Sequence, residues 1–210
     1  MDVSAKPGSG SVAVGQALPH DSAHLHVTGA AAYTDDLPEP RDLLHMAVGM
    51  SPLPHARIKR VDLTAVLGSP GVVAAFVAAD IAGENNFGPM VADDPILADG
   101  TVEFVGQPIF AVAAGTVDEA RKAARKGAIE FDSLSAILDP VAAVEQQSFG
   151  LPSETMQRGD AEAALANAPL RLSRRMVLGG QDQFYLEGHV AMAIHEEDGR
   201  LLIYSSTQHP

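Results

Sequence analysis

The stretch VEFVGQPIFAVAAGTVDEARKAARKGAIEFDSL, residues 102–134, indicates how this chain folds. Two short strands are predicted on either side of Pro108, which lacks an amide donor and so marks a sheet edge or a bulge. Thr116 and Glu119 then form a capping-box pattern that begins a helix. Residues 128–134 return as a strand. The order strand, helix, strand occurs once and predicts an α/β unit rather than a repeat array.

Small side chains recur along the predicted helix. Ala120, Ala123, Ala124 and Ala128 follow helical spacing. A stripe of small residues lets a helix lie close against a sheet, whereas the intervening Arg and Lys residues would face outward. We therefore expect this helix to cover the strands next to it.

Shorter patterns on both sides extend this organisation. An extended segment from His24 leads into a Pro-bounded loop, and residues 82–100 form a long loop. The Asp-Gly step in Glu196–Gly199 predicts a hairpin turn. Further strands are predicted over 43–51, 56–63, 70–81, 170–178, 184–195 and 200–207, and further helices over 141–146 and 161–168, the last capped by Asp160. The expected fold class is α+β.

Composition excludes several classes of protein. The formal charge of −13 repels phosphate backbones and anionic lipid, which disfavours nucleic-acid and membrane partners. With no cysteine, the chain cannot itself hold a disulfide framework, a thiolate zinc site or an iron–sulfur cluster. The N-terminal residues lack the apolar core of a signal peptide, and no stretch approaches the roughly 20 apolar residues of a membrane span. These features predict a soluble, cytoplasmic protein.

Some polar residues are candidates for chemistry, but each also has a structural interpretation. Gly179 and Gly180 leave room for a bulky ligand, and Gln181 offers two donors and an acceptor. Taken alone, this step is more typical of a structural turn. Glu187 and His189 would share a strand face and suit proton transfer, although a structural pair at a strand bend is favoured.

Two other motifs indicate a function more weakly. His24 and His26 would share one face of an extended segment, but two histidines without a third ligand make a poor metal site. Arg158-Gly159-Asp160 spells a cell-adhesion tripeptide, which fits badly with a chain that lacks cysteine and a signal peptide. Neither motif predicts a function.

A resemblance to a known family emerges when the motifs are taken in order. HVTGAAAYTDDLPEP, LLHMAVGMS, HARIKRVDL, PGVVAAF, DDPILADGTVEFVGQPIFAVAA, RGDAEAALANA and GGQDQFYLEG resemble the N-terminal part of the molybdopterin-binding subunit of bacterial xanthine dehydrogenases, from about Gly15 to Pro210. The resemblance implies an α/β-hammerhead domain over 21–135 and the beginning of a molybdopterin-binding domain over 158–210. The composition of the chain predicts a flexible lead over 1–20 and a linker over 136–157.

The same resemblance implies a chemistry. Members of the family hydroxylate a purine carbon at a molybdenum that bears oxo, sulfido and hydroxo ligands. The electrons pass to NAD through iron–sulfur clusters and FAD on a partner subunit, in a heterotetramer. Gln181 matches the family glutamine that hydrogen-bonds an oxygen ligand of the molybdenum, and Gly180 precedes it in the cofactor-facing motif. Such a donor orients the ligand and stabilises charge that builds on it.

This chain also departs from the family pattern. Gln183 stands where the family usually has His, just outside the cofactor contact. The later glycine-rich segment, the substrate-binding arginine and the glutamate base have no counterpart here. We therefore assign no catalytic residue to this chain and expect it to be inactive without the remaining C-terminal sequence. The alternatives are a non-catalytic scaffold from a truncated or split hydroxylase, and a related aldehyde or N-heterocycle oxidoreductase.

Overall fold

The computed structural model describes residues 15–89 and 91–207, and these form two compact units. One unit is Arg41–Val177, and the other combines the described residues of Met1–Pro40 with those of Leu178–Pro210. Most of the predicted flexible lead, residues 1–14, lies outside the described residues.

Short helices and strands alternate along the described chain, which agrees with the predicted α+β class. Three 3-10 turns cover Thr34–Asp36, Ala78–Asp80 and Glu197–Gly199. The helices and strands are α1 Ala23–Thr28, β1 His45–Met50, β2 Ala56–Asp62, α2 Thr64–Leu67, β3 Val72–Val77, β4 Thr101–Val102, β5 Pro108–Ala114, α3 Val117–Ala124, β6 Ala128–Ser133, α4 Pro140–Glu145, α5 Ala161–Asn167, β7 Ala191–His195 and β8 Leu201–Ser205.

Two three-stranded antiparallel sheets build the unit Arg41–Val177, in the orders β1-β5-β3 and β4-β2-β6. Strand β5 pairs on both sides, and residues 109–114 are all buried. Its side chains Ile109, Phe110 and Val112 are among the largest fully buried groups of the chain. A strand that is covered on both faces needs a continuous apolar run, and IFAVAA supplies it.

Pro108 stands at the first position of β5. The sequence left open whether it marks an edge or a bulge, and the structure favours the bulge, since β5 is the central strand. The pairing of β1 with β5 shifts register between Gly49 and Met50, where Met50 is the partner of Pro108. A proline is tolerated in a central strand at this point because the regular ladder begins only after it.

Helix α3 begins as predicted. The hydroxyl oxygen of Thr116 accepts a hydrogen bond from the backbone N–H of Glu119 at 3.2 Å. Ala120 and Ala123 are fully buried, and α3 packs on β1 and β5. Ala128 is an exception to the predicted stripe, because the helix ends at Ala124 and Ala128 is an exposed residue of β6.

Two glycines make room for the central aromatic side chain of this unit. A Cβ atom at Gly49 or at Gly127 would collide with the ring of Phe110, which is 1% exposed. The ring therefore lies directly on backbone from β1 and from the turn between α3 and β6. These close approaches explain why glycine is needed at both positions.

Gly71→Ala is expected to lower the free energy of unfolding by about 1–3 kcal/mol. Gly71 has φ +75°, and a Cβ there would meet the carboxylate of Glu119. Urea denaturation followed by circular dichroism measures the loss. Gly83→Ala is the control, because among the described residues only its chain neighbours come within 4 Å of its Cβ position, and its φ lies outside the left-handed region. Equal stability of the two variants would contradict the conclusion that the backbone conformation at Gly71 requires glycine.

The strand predicted over 170–178 is wrong. These residues have no regular structure and are exposed. A strand requires a hydrogen-bonded neighbour, and the described residues provide none for this segment. The strand predicted over 184–195 is likewise present only from Ala191, because its partner β8 ends at Ser205, opposite Ala191.

The extended segment predicted from His24 is also wrong, because the residues there form α1. Gly29 ends this helix at φ +74°, and its N–H donates to the carbonyl oxygen of Leu25. Thr28 donates its hydroxyl to the carbonyl oxygen of His24 at 2.7 Å. The glycine that ends the helix was the signal that the sequence interpretation overlooked.

Two local predictions near the C-terminal end of the described chain are confirmed. Asp160 caps α5 by accepting a hydrogen bond from the N–H of Ala163 at 2.8 Å. The hairpin of β7 and β8 turns through Asp198 and Gly199, at φ 62° and 73°. Such positive φ values are those that a tight hairpin turn favours.

Candidate functional site

The segment 179–186 carries the predicted site residues Gly180 and Gln181. It contains neither helix nor strand, and every one of its side chains is exposed. Apart from the two residues next to it in the chain, no described residue places a heavy atom within 4 Å of a Cβ position at Gly179 or Gly180. Neither glycine has a positive φ, a value that falls instead on Phe184. What these glycines provide is open space and not an unusual backbone conformation.

Gln181 presents an unengaged amide. Among the described residues, its side chain has no hydrogen-bond partner. A primary amide supplies two donors and an acceptor. The segment therefore offers a polar side chain and open space beside it, which is the minimum that a contact with a large bound group requires.

Glu187 follows the exposed segment and is held in place. Its Oε1 accepts a hydrogen bond from the backbone N–H of Thr34 at 2.8 Å, across 153 positions of sequence. Thr34 begins a 3-10 turn, in which the N–H of Tyr33 donates to Oδ2 of Asp36 at 2.9 Å. The contact fastens the end of the exposed segment to the N-terminal part of the same unit.

Ser206 fixes the residues that come next. Its hydroxyl donates to the carbonyl oxygen of Gly188 at 2.8 Å and accepts from the N–H of Val190 at 2.9 Å. An open depression of about 630 Å³ lies beside these contacts. It is lined by Tyr185, Leu186, Glu187, His189, Ser205, Ser206 and Thr207.

The Glu187 and His189 pair is not on a strand face. Within the described residues no hydrogen bond joins the two side chains, and Glu187 is engaged by Thr34. The ring of His189 lies edge-on to that of Tyr185, with centroids 6.1 Å apart. The geometry therefore favours a structural role for Glu187 over proton transfer through His189.

The histidines near the N-terminal end do not assemble a metal site. His24 and His26 lie on α1, where alternate residues do not share a face. Nδ1 of His26 lies 3.3 Å from the hydroxyl oxygen of Tyr33, and its ring centroid lies 5.5 Å from that of His20. In the part of the chain that the structure describes, no three His, Cys, Asp or Glu residues group as a metal site.

Comparison with known proteins identifies the family. The sequence profile of the aldehyde oxidase and xanthine dehydrogenase a/b hammerhead domain matches residues 28–135, and that of the molybdopterin cofactor-binding domain matches residues 144–210. The chain belongs to the aldehyde oxidase and xanthine dehydrogenase family. The resemblance inferred from the motifs is confirmed, as is a hammerhead domain followed by the start of a molybdopterin-binding domain.

Individual relatives agree with this family. Xanthine dehydrogenase 1 of Arabidopsis thaliana is 38% identical over 94% of this chain, and aldehyde oxidase 2 of Rattus norvegicus is 36% identical over 94%. The aldehyde oxidoreductase of Desulfovibrio gigas superposes on 90% of this chain with a TM-score of 0.75 and 28% identity. The chain spans 15%, 14% and 23% of the lengths of these three proteins.

One residue of this region escaped the sequence interpretation. Thr34 belongs to the TDDLP motif that contributed to the resemblance, but nothing local connects it to Glu187.

Of the helices in the described ranges, none is long and apolar enough to cross a membrane.

Proposed function

We propose that this chain is the N-terminal portion of the molybdenum subunit of a xanthine dehydrogenase, which hydroxylates hypoxanthine and xanthine towards urate. The observation that carries the proposal is the free, exposed amide of Gln181, which lies within the residues that match a molybdopterin cofactor-binding domain. The identity to a plant xanthine dehydrogenase supports the choice of substrate.

The residues present fit a molybdenum–molybdopterin group. Gly179 and Gly180 leave open space, and Gln181 brings an amide donor beside that space. When bound, the cofactor supplies the oxidation of a heterocycle carbon, with the oxygen taken from water. Gln181 would donate to an oxygen ligand of the molybdenum and so orient it. Gly180 would allow the close approach, and the base that completes the reaction would lie elsewhere.

The remaining molybdopterin-binding sequence is the first proposed partner. Several large apolar side chains between residues 170 and 186 are more than 80% exposed, which is costly unless another surface covers them. They are Leu170, Leu172, Val177, Leu178, Phe184 and Leu186. The short span relative to the relatives agrees with a covering sequence of this kind.

A partner subunit carries the electron-transfer groups in this proposal. The chain has no cysteine, so iron–sulfur clusters require ligands from elsewhere. The clusters and FAD would pass electrons to NAD in a cytoplasmic heterotetramer. The domain boundaries also remain predictions: 21–135 for the hammerhead domain, 136–157 for the linker and 158–210 for the start of the molybdopterin-binding domain.

A second candidate is an aldehyde or N-heterocycle oxidoreductase of the same family. The 36% identity to an aldehyde oxidase supports it nearly as well as the plant relative supports xanthine. Substrate selection in a hydroxylase depends on the residues that contact the substrate ring. Segment 179–186 is proposed to contact the cofactor, so it does not distinguish between the two substrates. A non-catalytic scaffold is the third possibility.

Reconstitution separates these candidates. The complete molybdenum subunit, co-expressed with its iron–sulfur and flavin partner, should contain molybdenum and reduce NAD with xanthine while forming urate. Oxidation of aldehydes or N-heterocycles without urate formation would replace the substrate assignment. A complex that assembles without molybdenum would support the scaffold and overturn the proposed enzyme.

A further inference from the structure

We propose that Glu187 is a positioning residue. Its carboxylate accepts a hydrogen bond from the Thr34 backbone N–H, a contact that we call the clamp, and this contact fixes the segment that presents Gln181. The inference rests on the proposed function, and it concerns how the chain holds its cofactor-facing side chain. Segment 179–186 is exposed and has no regular structure, so the position of Gln181 depends on where the segment is anchored.

The first hydrogen bond after Gln181 in the described chain runs from the Thr34 N–H to Oε1 of Glu187, at 2.8 Å. The contacts of Ser206 with Gly188 and Val190 follow immediately and hold the chain from the other side. The part of the segment without a hydrogen bond to the rest of the described chain therefore ends at Glu187. Without the clamp, the freedom of the segment would extend to Gly188.

A carboxylate suits the Thr34 amide for a physical reason. Thr34 is the first residue of a 3-10 turn, and the first amides of such a turn have no acceptor within it. Asp36 already accepts from the N–H of Tyr33, so it is engaged elsewhere. The carboxylate of Glu187 supplies the missing acceptor, and a charged acceptor makes the stronger bond.

Thr34 offers a test that leaves Glu187 untouched. Thr34→Pro removes the amide donor, whereas Thr34→Ala retains it. Proline fits the first position of the turn, and Tyr33 before it is already extended at φ −102° and ψ 171°. The two substitutions therefore separate the hydrogen bond from the loss of the threonine side chain.

The variants are compared in the reconstituted enzyme. Glu187→Ala should speed hydrogen exchange at the Thr34 amide by about tenfold and lower kcat by a similar factor, whereas Glu187→Gln should restore most of both. Thr34→Pro should lower kcat as Glu187→Ala does. The double variant that combines these two substitutions should have the same kcat as either single variant, because both substitutions remove the same hydrogen bond. Glu196→Ala, at an exposed residue of the hairpin turn, is the control.

The outcomes judge the clamp and the proposed function separately. Unchanged Thr34 exchange in Glu187→Ala, or additive losses in the double variant, would overturn the clamp. Faster exchange with normal kcat, while Gln181→Ala is impaired, would overturn the positioning role and leave the proposed function standing. If Gln181→Ala is unimpaired, the role of Gln181 fails, and with it the positioning role, whereas the exchange result still decides whether the hydrogen bond exists. Molybdenum content per subunit identifies any variant that fails to assemble.

Discussion

Gln181→Ala is expected to lower turnover of the reconstituted enzyme by about ten- to a hundredfold. A hydrogen bond to a charged group contributes roughly 1.5–3 kcal/mol, and this one is proposed to strengthen as charge builds on the molybdenum ligand. Because the side chain is exposed and has no partner among the described residues, its removal should leave stability unchanged. Steady-state kinetics with xanthine and a parallel molybdenum determination measure the effect.

Gln183→Ala is the matched control for this prediction. Gln183 is the same residue type, lies two positions further along the same exposed segment, and stands outside the proposed contact. Its turnover should remain within about twofold of the parent enzyme, in line with a surface substitution. Equal losses in the two variants would mean that the segment tolerates no change, and normal turnover in Gln181→Ala would remove the proposed contact.

Phe110→Ala should have the largest effect on stability, a loss of about 3–5 kcal/mol in the free energy of unfolding. The ring is 1% exposed and lies on the backbone at Gly49 and Gly127, so its removal leaves a cavity between strands and helix. A loss of this size is a large share of the stability of an ordinary domain. Urea denaturation followed by circular dichroism measures it.

Phe149→Ala is the control, because Phe149 belongs to the same unit and is 57% exposed. Its stability should stay within about 0.5 kcal/mol of the parent chain. If Phe110→Ala costs less than about 1 kcal/mol, the ring is not the centre of the core, and the reason given for the two glycines fails with it.

Local signals predicted those elements whose determinants lie close together in sequence. The cap of α3 depends on Thr116 and Glu119, three positions apart, and the hairpin depends on adjacent Asp198 and Gly199. The apolar run of β5 predicted a strand for the same reason. In each case the interacting groups are neighbours in the chain, so their pattern survives without knowledge of the fold.

Predictions failed where an element depends on a distant partner. The apolar pattern over 170–178 is typical of a strand, but a strand forms only beside another, and the described residues offer it none. The strand signal before Ala191 fails in the same way, because β8 ends opposite that residue. An apolar pattern shows that a segment favours the strand conformation. Whether the strand forms depends on a neighbouring strand to which it can hydrogen-bond.

The sequence by itself determined the family and the mixed class of the fold, and it predicted Gln181 as the cofactor-facing side chain, because ordered motifs and local spacing are properties of the linear chain. Tertiary structure decided that β5 lies centrally between β1 and β3, and that Glu187 holds Thr34 from 153 positions away. Both depend on the path of the backbone through space. A hydrogen bond across that separation leaves no periodicity in the sequence, and only the folded chain brings its two atoms together.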